Sequence, residues 1–230
     1  MSSTMLHLRY NVVVKVETVD TNNPDPKLLQ YAAELISAGE VIVCPTDTGY
    51  AFSANALDEK AVAKVFKLKG RSYSNPIHIA VSSIQEAGSY AHLNKSARHL
   101  ARIFLPGALT LVLPRKEIIP AMLVAGLNTV GIRIPNNKVI LDLAAMTRLP
   151  LTTTSANISG QPTPYTAEEV VEQLGEASES IALILDQGPL ATRELSTIVD
   201  LTVSPPQLIR QGLVSWLEIR EVLKGLQSSG

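Results

Sequence analysis

The stretch Asp58-Glu59-Lys60-Ala61-Val62-Ala63-Lys64-Val65-Phe66-Lys67-Leu68-Lys69-Gly70-Arg71, with Ser72-Tyr73-Ser74-Asn75-Pro76 and then Ile77-His78-Ile79-Ala80-Val81, holds the key to the fold. Val62, Val65 and Phe66 make an apolar stripe at helical spacing, so Asp58 to Leu68 reads as a helix. Three residues beyond Phe66 the stripe reaches Lys69, so the face that enters the core ends in a cation. Lys60, Lys64, Lys67 and Arg71 follow on another face, and Gly70 stops the helix. Ile77–Val81 then reads as a strand. Helix, break and strand in this order are the repeating grammar of an α/β protein. A sheltered Lys beside an Arg at a helix end suits an anion. Read alone, the run also fits a solvated basic face closed by a glycine.

The same alternation runs outward in both directions. Tyr10–Val19 is a Val-rich strand. Asp25-Pro26 opens a helix to Ala38, with Gly39 as its stop. Val41–Cys44 is a short apolar strand ended by Pro45, and a polar loop is expected after it. Ser83-Ile84-Gln85-Glu86 and Thr166-Ala167-Glu168-Glu169 are capping boxes, and Asn94 caps a helix toward Phe104. Strands are expected at Leu109–Leu113, Thr129–Ile134, Leu151–Thr154, Ile181–Leu185, Thr197–Leu201 and Gln207–Arg210. Helices are expected at Val139–Met146 and Trp216–Leu223. Pro205-Pro206 lies too close to both flanking strands to be a linker. The expectation is one domain over 1–230, with residues 1–9 a flexible tail and 213–230 a C-terminal helix and tail.

Composition bounds the chemistry. The chain has 230 residues, is 46% hydrophobic and 18% charged, and so can bury a sizeable core. A formal net charge of -1 gives no global field for nucleic acid, so anion binding requires a local groove. Cys44 is the single cysteine, which excludes an internal disulfide and a cysteine-based zinc site. Within an apolar strand it reads as core filler. His7, His78, His92 and His99 show no paired ligand spacing and read as surface or packed residues. No apolar run approaches a membrane span, and the N-terminus lacks an apolar signal core, so a cytoplasmic protein without membrane partners is expected. There is no G-x-G-x-x-G, no P-loop and no G-x-S-x-G elbow.

Three polar loops stand beyond strand ends, where α/β proteins bind ligands. These are Pro45-Thr46-Asp47-Thr48-Gly49-Tyr50, the hydroxyl-rich run Thr152 to Pro164, and Glu194-Leu195-Ser196-Thr197. Arg133 and Arg210 end strands and suit bidentate capture of carboxylate or phosphate. Each signal alone is weak, because polar turns are ordinary loops and a lone arginine is often a surface ion pair.

Together these segments resemble the YrdC-type threonylcarbamoyl-AMP synthase family. The likeness runs from about Leu28 to Gly212. It rests on Pro45-Thr46-Asp47-Thr48 with Tyr50, Lys69-Gly70-Arg71 with Asn75-Pro76, and Pro106-Gly107-Ala108-Leu109-Thr110. It continues through Gly126-Leu127-Asn128-Thr129 with Arg133-Ile134-Pro135, and Ser155-Ala156-Asn157 with Ser159-Gly160, Pro162 and Pro164. Asp186-Gln187-Gly188, Ser196-Thr197 with Asp200-Leu201-Thr202, and Ile209-Arg210 with Gly212 complete it. The chain departs from the family pattern at Gly49–Ala54, where two glycines are replaced, and at Ala80, where a histidine is common. It also departs at Leu195, with Glu194 one residue before it.

The resemblance implies a twisted mixed sheet flanked by helices around a concave basic cavity. It implies a nucleotidyltransferase that forms threonylcarbamoyl-adenylate and pyrophosphate from L-threonine, bicarbonate and ATP, with Mg²⁺. The product would serve a downstream threonylcarbamoyl-transferase complex that modifies tRNA. By the same resemblance Lys69 and Arg71 are the catalytic pair. Lys69, Arg71, Asn75, Thr129, Ser155, Asn157, Thr163 and Arg210 fall to ATP, and Thr48, Arg133, Thr153 and Ser196 to threonine. Two other readings stay open. One is a divergent paralogue without synthase activity that binds nucleotide, tRNA or double-stranded RNA by phosphate contacts. The other is a carbamoyl-transfer domain of a hydrogenase-maturation protein, against which the single cysteine argues.

Overall fold

A computed structural model describes residues 3–5, 13–191 and 193–228. The chain runs through β1 (Ser3–Met5), β2 (Lys15–Thr18), α1 (Pro26–Ser37), β3 (Ile42–Pro45), β4 (Tyr50–Ser53) and α2 (Glu59–Lys69). It continues through β5 (His78–Ala80), α3 (Ile84–Ala87), α4 (Lys95–Phe104), β6 (Leu109–Pro114), β7 (Thr129–Arg133) and α5 (Lys138–Thr147). It ends with β8 (Leu151–Ser155), α6 (Ala167–Leu174), a 3-10 helix (Gly175–Ser180), β9 (Leu183–Asp186), β10 (Thr197–Asp200), β11 (Gln207–Arg210) and α7 (Trp216–Ser228).

Side-chain caps set the helix starts. Asp25 accepts from the Lys27 amide, Asp58 from Lys60 and Asn94 from Ala97, each satisfying an otherwise orphaned N–H. Gly70 ends α2 at φ 54°, a conformation that favours glycine, and the Arg71 amide closes back on the Phe66 carbonyl. The two capping boxes form with one change. Ser83 and Thr166 accept from the amides of Glu86 and Glu169 as expected. The glutamates, however, reach one residue beyond the cap, to the amides of Ser82 and Tyr165.

All strands join one mixed sheet in the order β1-β2-β9-β3-β4-β8-β5-β7-β6-β10-β11. Parallel pairs are β2–β9, β9–β3, β5–β7 and β6–β10, and the others are antiparallel. Alternation along the strands divides the side chains between two faces. On one face Phe52, Ile79, Ile132 and Leu111 pack with Val62 and Phe66 of α2, Leu100 of α4, Val170 of α6 and Ile219 of α7. On the other, Ile42, Cys44, Ala80 and Leu151 pack under Leu29 and Ile36 of α1 and Ile140 and Leu143 of α5. Burial pushes the Cys44 thiol up to about 12, as core filler should behave.

Three expectations differ. Ser3–Met5, read as tail, pairs antiparallel with β2, while the remainder of 1–9 and residues 10–12 of the Tyr10–Val19 strand lie outside the described residues. The segment after Pro45 is not simply a loop, because Tyr50–Ser53 forms β4, fully buried between β3 and β8. A strand covered on both faces shows no polar alternation, which hid it. Ala51, Phe52 and Ser53 are extended, so the glycines replaced there are not required for positive φ. Helix α7 runs beyond Leu223 to Ser228, and residues 229–230 lie outside the described residues. No described helix is long and apolar enough to cross a membrane.

Candidate active site

Cross-strand register builds the site. Ser155 on β8 faces Ala51 on β4, and Thr153 faces His78 on β5. Ala80 lies opposite Arg133 on β7, Arg133 opposite Thr110 on β6, Thr110 opposite Ile198 on β10, and Ile198 opposite Arg210 on β11. Paired residues share a face, so this row crosses one side of the sheet from β4 to β11. Helices α1 and α5 bury Ala80 and Leu151 on that side. The adjoining part of that side lines a cavity of about 270 Å³.

Of the residues assigned to threonine, Thr48, Arg133, Thr153 and Ser196 all line this cavity. Of those assigned to ATP, Arg71, Ser155, Thr163 and Arg210 line it. Lys69, Asn75, Asn157 and Thr129 are not among the lining residues. Lys69 sits behind the wall, 1% exposed, with its ammonium donating to Ser155 O (2.5 Å), Asn157 O (3.2 Å) and Asn157 Oδ1 (2.7 Å). It therefore braces the Ser155–Asn157 turn. Burial, and then the charge of Arg71, pull Lys69 down to about 7. Three acceptors oppose that fall by matching the three N–H bonds of the charged form. Asn75 is exposed, and its carbonyl accepts from Arg71 Nε. Thr129 begins β7, about 13 Å along the strand from Arg133.

Each arginine is pinned yet keeps a donor. Arg71 donates Nε and Nη2 to the carbonyls of Asn75 and Pro76, both at 3.1 Å. Arg210 donates to Ser196 O and Oγ, and Ser196 Oγ lies 2.9 Å from Thr110 Oγ1. No described residue bonds Nη1 of Arg71 or Arg210. Arg133 is 5% exposed and donates Nη1 to Thr48 Oγ1 (2.8 Å) and Nη2 to Asp47 Oδ1 (2.7 Å). Its Nε and the Asp47 Oδ2 are buried without partners. Among the described residues no carboxylate lines the cavity itself. Burial lowers all three guanidinium groups from their ordinary value. Preorganised cations that need no rearrangement stabilise developing negative charge.

Backbone detail holds the walls in place. A Cβ on Gly49 would run into Thr163 Cγ2, so glycine there lets Thr163 close over the Thr46–Tyr50 turn. A Cβ on Gly212 would enter the backbone from Leu195 to Thr197, so glycine there seats Ser196. The Gly212 amide donates to Thr197 Oγ1. The Tyr50 hydroxyl lies 2.8 Å from both Asp186 Oδ1 and Gly188 O, and accepts from the Gln187 amide.

His78, read from the sequence as a surface or packed residue, lines the cavity. Strand parity carries the signal. His78 and Ala80 are two apart on β5 and share a face, so a histidine two residues before Ala80 still looks into the site. Burial and the charges of Arg210, Arg133 and Arg71 hold its imidazole at about 3, so it is neutral near pH 7.

A family model named Sua5/YciO/YrdC, described as telomere recombination, matches residues 34–212. The threonylcarbamoyl-AMP synthase of Pyrococcus abyssi is 39% identical over 85% of this chain and 57% of its own length. The putative threonylcarbamoyl-AMP synthase of Methanocaldococcus jannaschii is 35% identical over 89% of this chain and 94% of its own. The chain thus spans little more than half of the first relative and nearly all of the second. The crystal structure of Pyrococcus abyssi Sua5 complexed with L-threonine superposes with a TM-score of 0.85 at 37% identity. That match covers 90% of this chain and 60% of the other.

Proposed function

The chain belongs to the Sua5/YciO/YrdC family, and from that premise we propose that it is a threonylcarbamoyl-AMP synthase. One observation carries the reading: Arg71, Arg133 and Arg210 converge on one cavity whose other polar lining is mostly threonine and serine hydroxyls. A protein of net charge -1 has concentrated cations where two anionic substrates must meet.

The reaction has two steps. The threonine ammonium and bicarbonate give the carbamate, water and a proton. A carbamate oxygen then attacks the α-phosphorus of ATP, the new O–P bond forms, and the bond to the β-phosphate breaks with its electron pair leaving on pyrophosphate. This is nucleotidyl transfer. The nucleophile already carries charge, so alignment and charge stabilisation matter more than a strong base. Arg133, which lines the cavity and is held there by Thr48 and Asp47, takes the threonine carboxylate. Thr48, Thr153 and Ser196 supply hydroxyl partners, and Leu195 and Ile198 supply apolar surface for the methyl group. Arg71 and Arg210 take phosphate oxygens with the help of Ser155 and Thr163. Lys69 and Asn157 act through the turn that presents Ser155. Asn75 and Thr129 stand outside the cavity, where only the far end of the nucleotide would reach them.

Among the described residues no three His, Cys, Asp or Glu side chains come together, and the hydroxyls facing the cavity fit a hydrated ion carried on the triphosphate. Bound there, Mg²⁺ would shield the phosphates and ease departure of pyrophosphate. The product would pass to a transferase complex acting on tRNA. A role confined to double-stranded RNA is not favoured, because the arginines face a small cavity rather than an open surface that phosphates of a duplex could line. The test is incubation with ATP, L-threonine, bicarbonate and Mg²⁺. The adenylate and pyrophosphate should form together, and ATP turnover without threonine would overturn the reading.

A further inference from the structure

His78 has no task in the mechanism above, although it lines the same cavity. Its ring lies over Gly131 of β7: a Cβ there would press on Cδ2, stand 2.9 Å from Cγ and 3.1 Å from Nε2. The missing side chain at 131 gives the imidazole its seat. No described residue hydrogen-bonds either ring nitrogen. Arg210, Arg133 and Arg71 all lie within electrostatic reach of it, and Thr153 is its cross-strand neighbour. Among the described residues no acid lines the cavity, and Asp47 is paired with Arg133.

Given the synthase reading, on which this rests, Arg133 marks the amino-acid end of the cavity and Arg71 with Arg210 the phosphate end. The group that joins those ends during the reaction is the carbamate. The geometry points to His78 as the N–H donor that holds one oxygen of the threonine carbamate while the other oxygen attacks the α-phosphorus. Its charge state suits the task. Carbamates decompose when a proton returns to them, since carbamic acid falls apart to amine and CO₂. A histidinium at this place would be a proton source. An imidazole kept neutral by three arginines can orient the carbamate without returning the proton. A neutral donor also leaves the attacking oxygen more electron-rich than a fourth cation would.

The experiment compares wild type, His78→Ala and His78→Gln with bicarbonate titrated at saturating ATP and threonine. Loss of one neutral hydrogen bond should raise the half-saturating bicarbonate concentration about tenfold in His78→Ala. His78→Gln, which keeps an N–H donor, should recover part of it. Binding of ATP alone and of threonine alone should be unchanged in both variants. With ¹³C-bicarbonate, threonine and a non-hydrolysable ATP analogue, wild type should show an enzyme-bound carbamate resonance that His78→Ala weakens. An unchanged bicarbonate dependence in both variants overturns this proposal alone. So does an equal loss of ATP and threonine binding, which would make His78 a packing residue. A wild type that forms no adenylate overturns the synthase reading and this proposal with it.

Discussion

At Lys69 a cation is buried with every donor matched, and that places two kinds of cost on its removal. Lys69→Met leaves Ser155 O, Asn157 O and Asn157 Oδ1 short of a donor, which should cost about 1–3 kcal/mol of stability. Lys64, half-exposed and paired with Glu40, should cost about 1 kcal/mol or less as Lys64→Ala. Denaturant midpoints measure both, and ATP affinity should fall further for Lys69→Ala than for Lys64→Ala, because Ser155 loses its brace. Equal effects would contradict the distinction. His78 gives a pH signature. The unfolded chain takes up a proton below about 6.5 that the folded chain refuses until about 3, so this residue's share of stability is present above 6.5 and is lost as pH falls through that window. The melting temperature of His78→Gln should therefore decline less between pH 7 and pH 4 than that of wild type. That Lys69 is sheltered was legible from its place on the Val62, Val65, Phe66 stripe. Its partners were not, since they lie 86 and 88 residues away.

Elements with caps were the most legible, because a cap is a local contract between a side chain and the next turn. Asp58 and Gly70 bracket α2 in the sequence as in the structure. Strand β4 was not legible, because burial on both faces removes the alternation by which a strand is recognised. The two glycines at the ends of α2 and β11 differ in what they do. Gly70 has a positive φ and open space around a Cβ, so Gly70→Ala should cost about 1 kcal/mol with activity retained. Gly212 abuts the backbone from Leu195 to Thr197, so Gly212→Ala must displace Ser196 and the Arg210 bonded to it. Adenylate formation should drop at least about tenfold, well beyond the loss in Gly70→Ala. Comparable activities for the two variants would show that the Leu195–Thr197 segment does not need its present position.

For the whole molecule, the site exists only because of sheet order. Residues from Thr48 to Arg210 meet through the succession β4-β8-β5-β7-β6-β10-β11, which the chain visits in a different order. The α/β class and the polar strand ends were legible in the sequence, and the row that joins them was not, since register is set by long-range pairing. The assembled cavity predicts substrate choice. Serine lacks the methyl group that Leu195 and Ile198 can cover and should lose about 1–3 kcal/mol against threonine. Valine lacks the hydroxyl and strands a buried partner, at about 1–3 kcal/mol or more. Arg133→Ala should weaken all three amino acids alike, since each offers the same carboxylate to the same guanidinium. The most direct test is pyrophosphate release by wild type and Arg133→Ala with ATP, bicarbonate and each amino acid, together with detection of the adenylate. Release that requires threonine and bicarbonate, falls for serine and valine, and collapses in Arg133→Ala is the predicted result. Release that is indifferent to the amino acid, or survives unchanged in Arg133→Ala, would contradict the account.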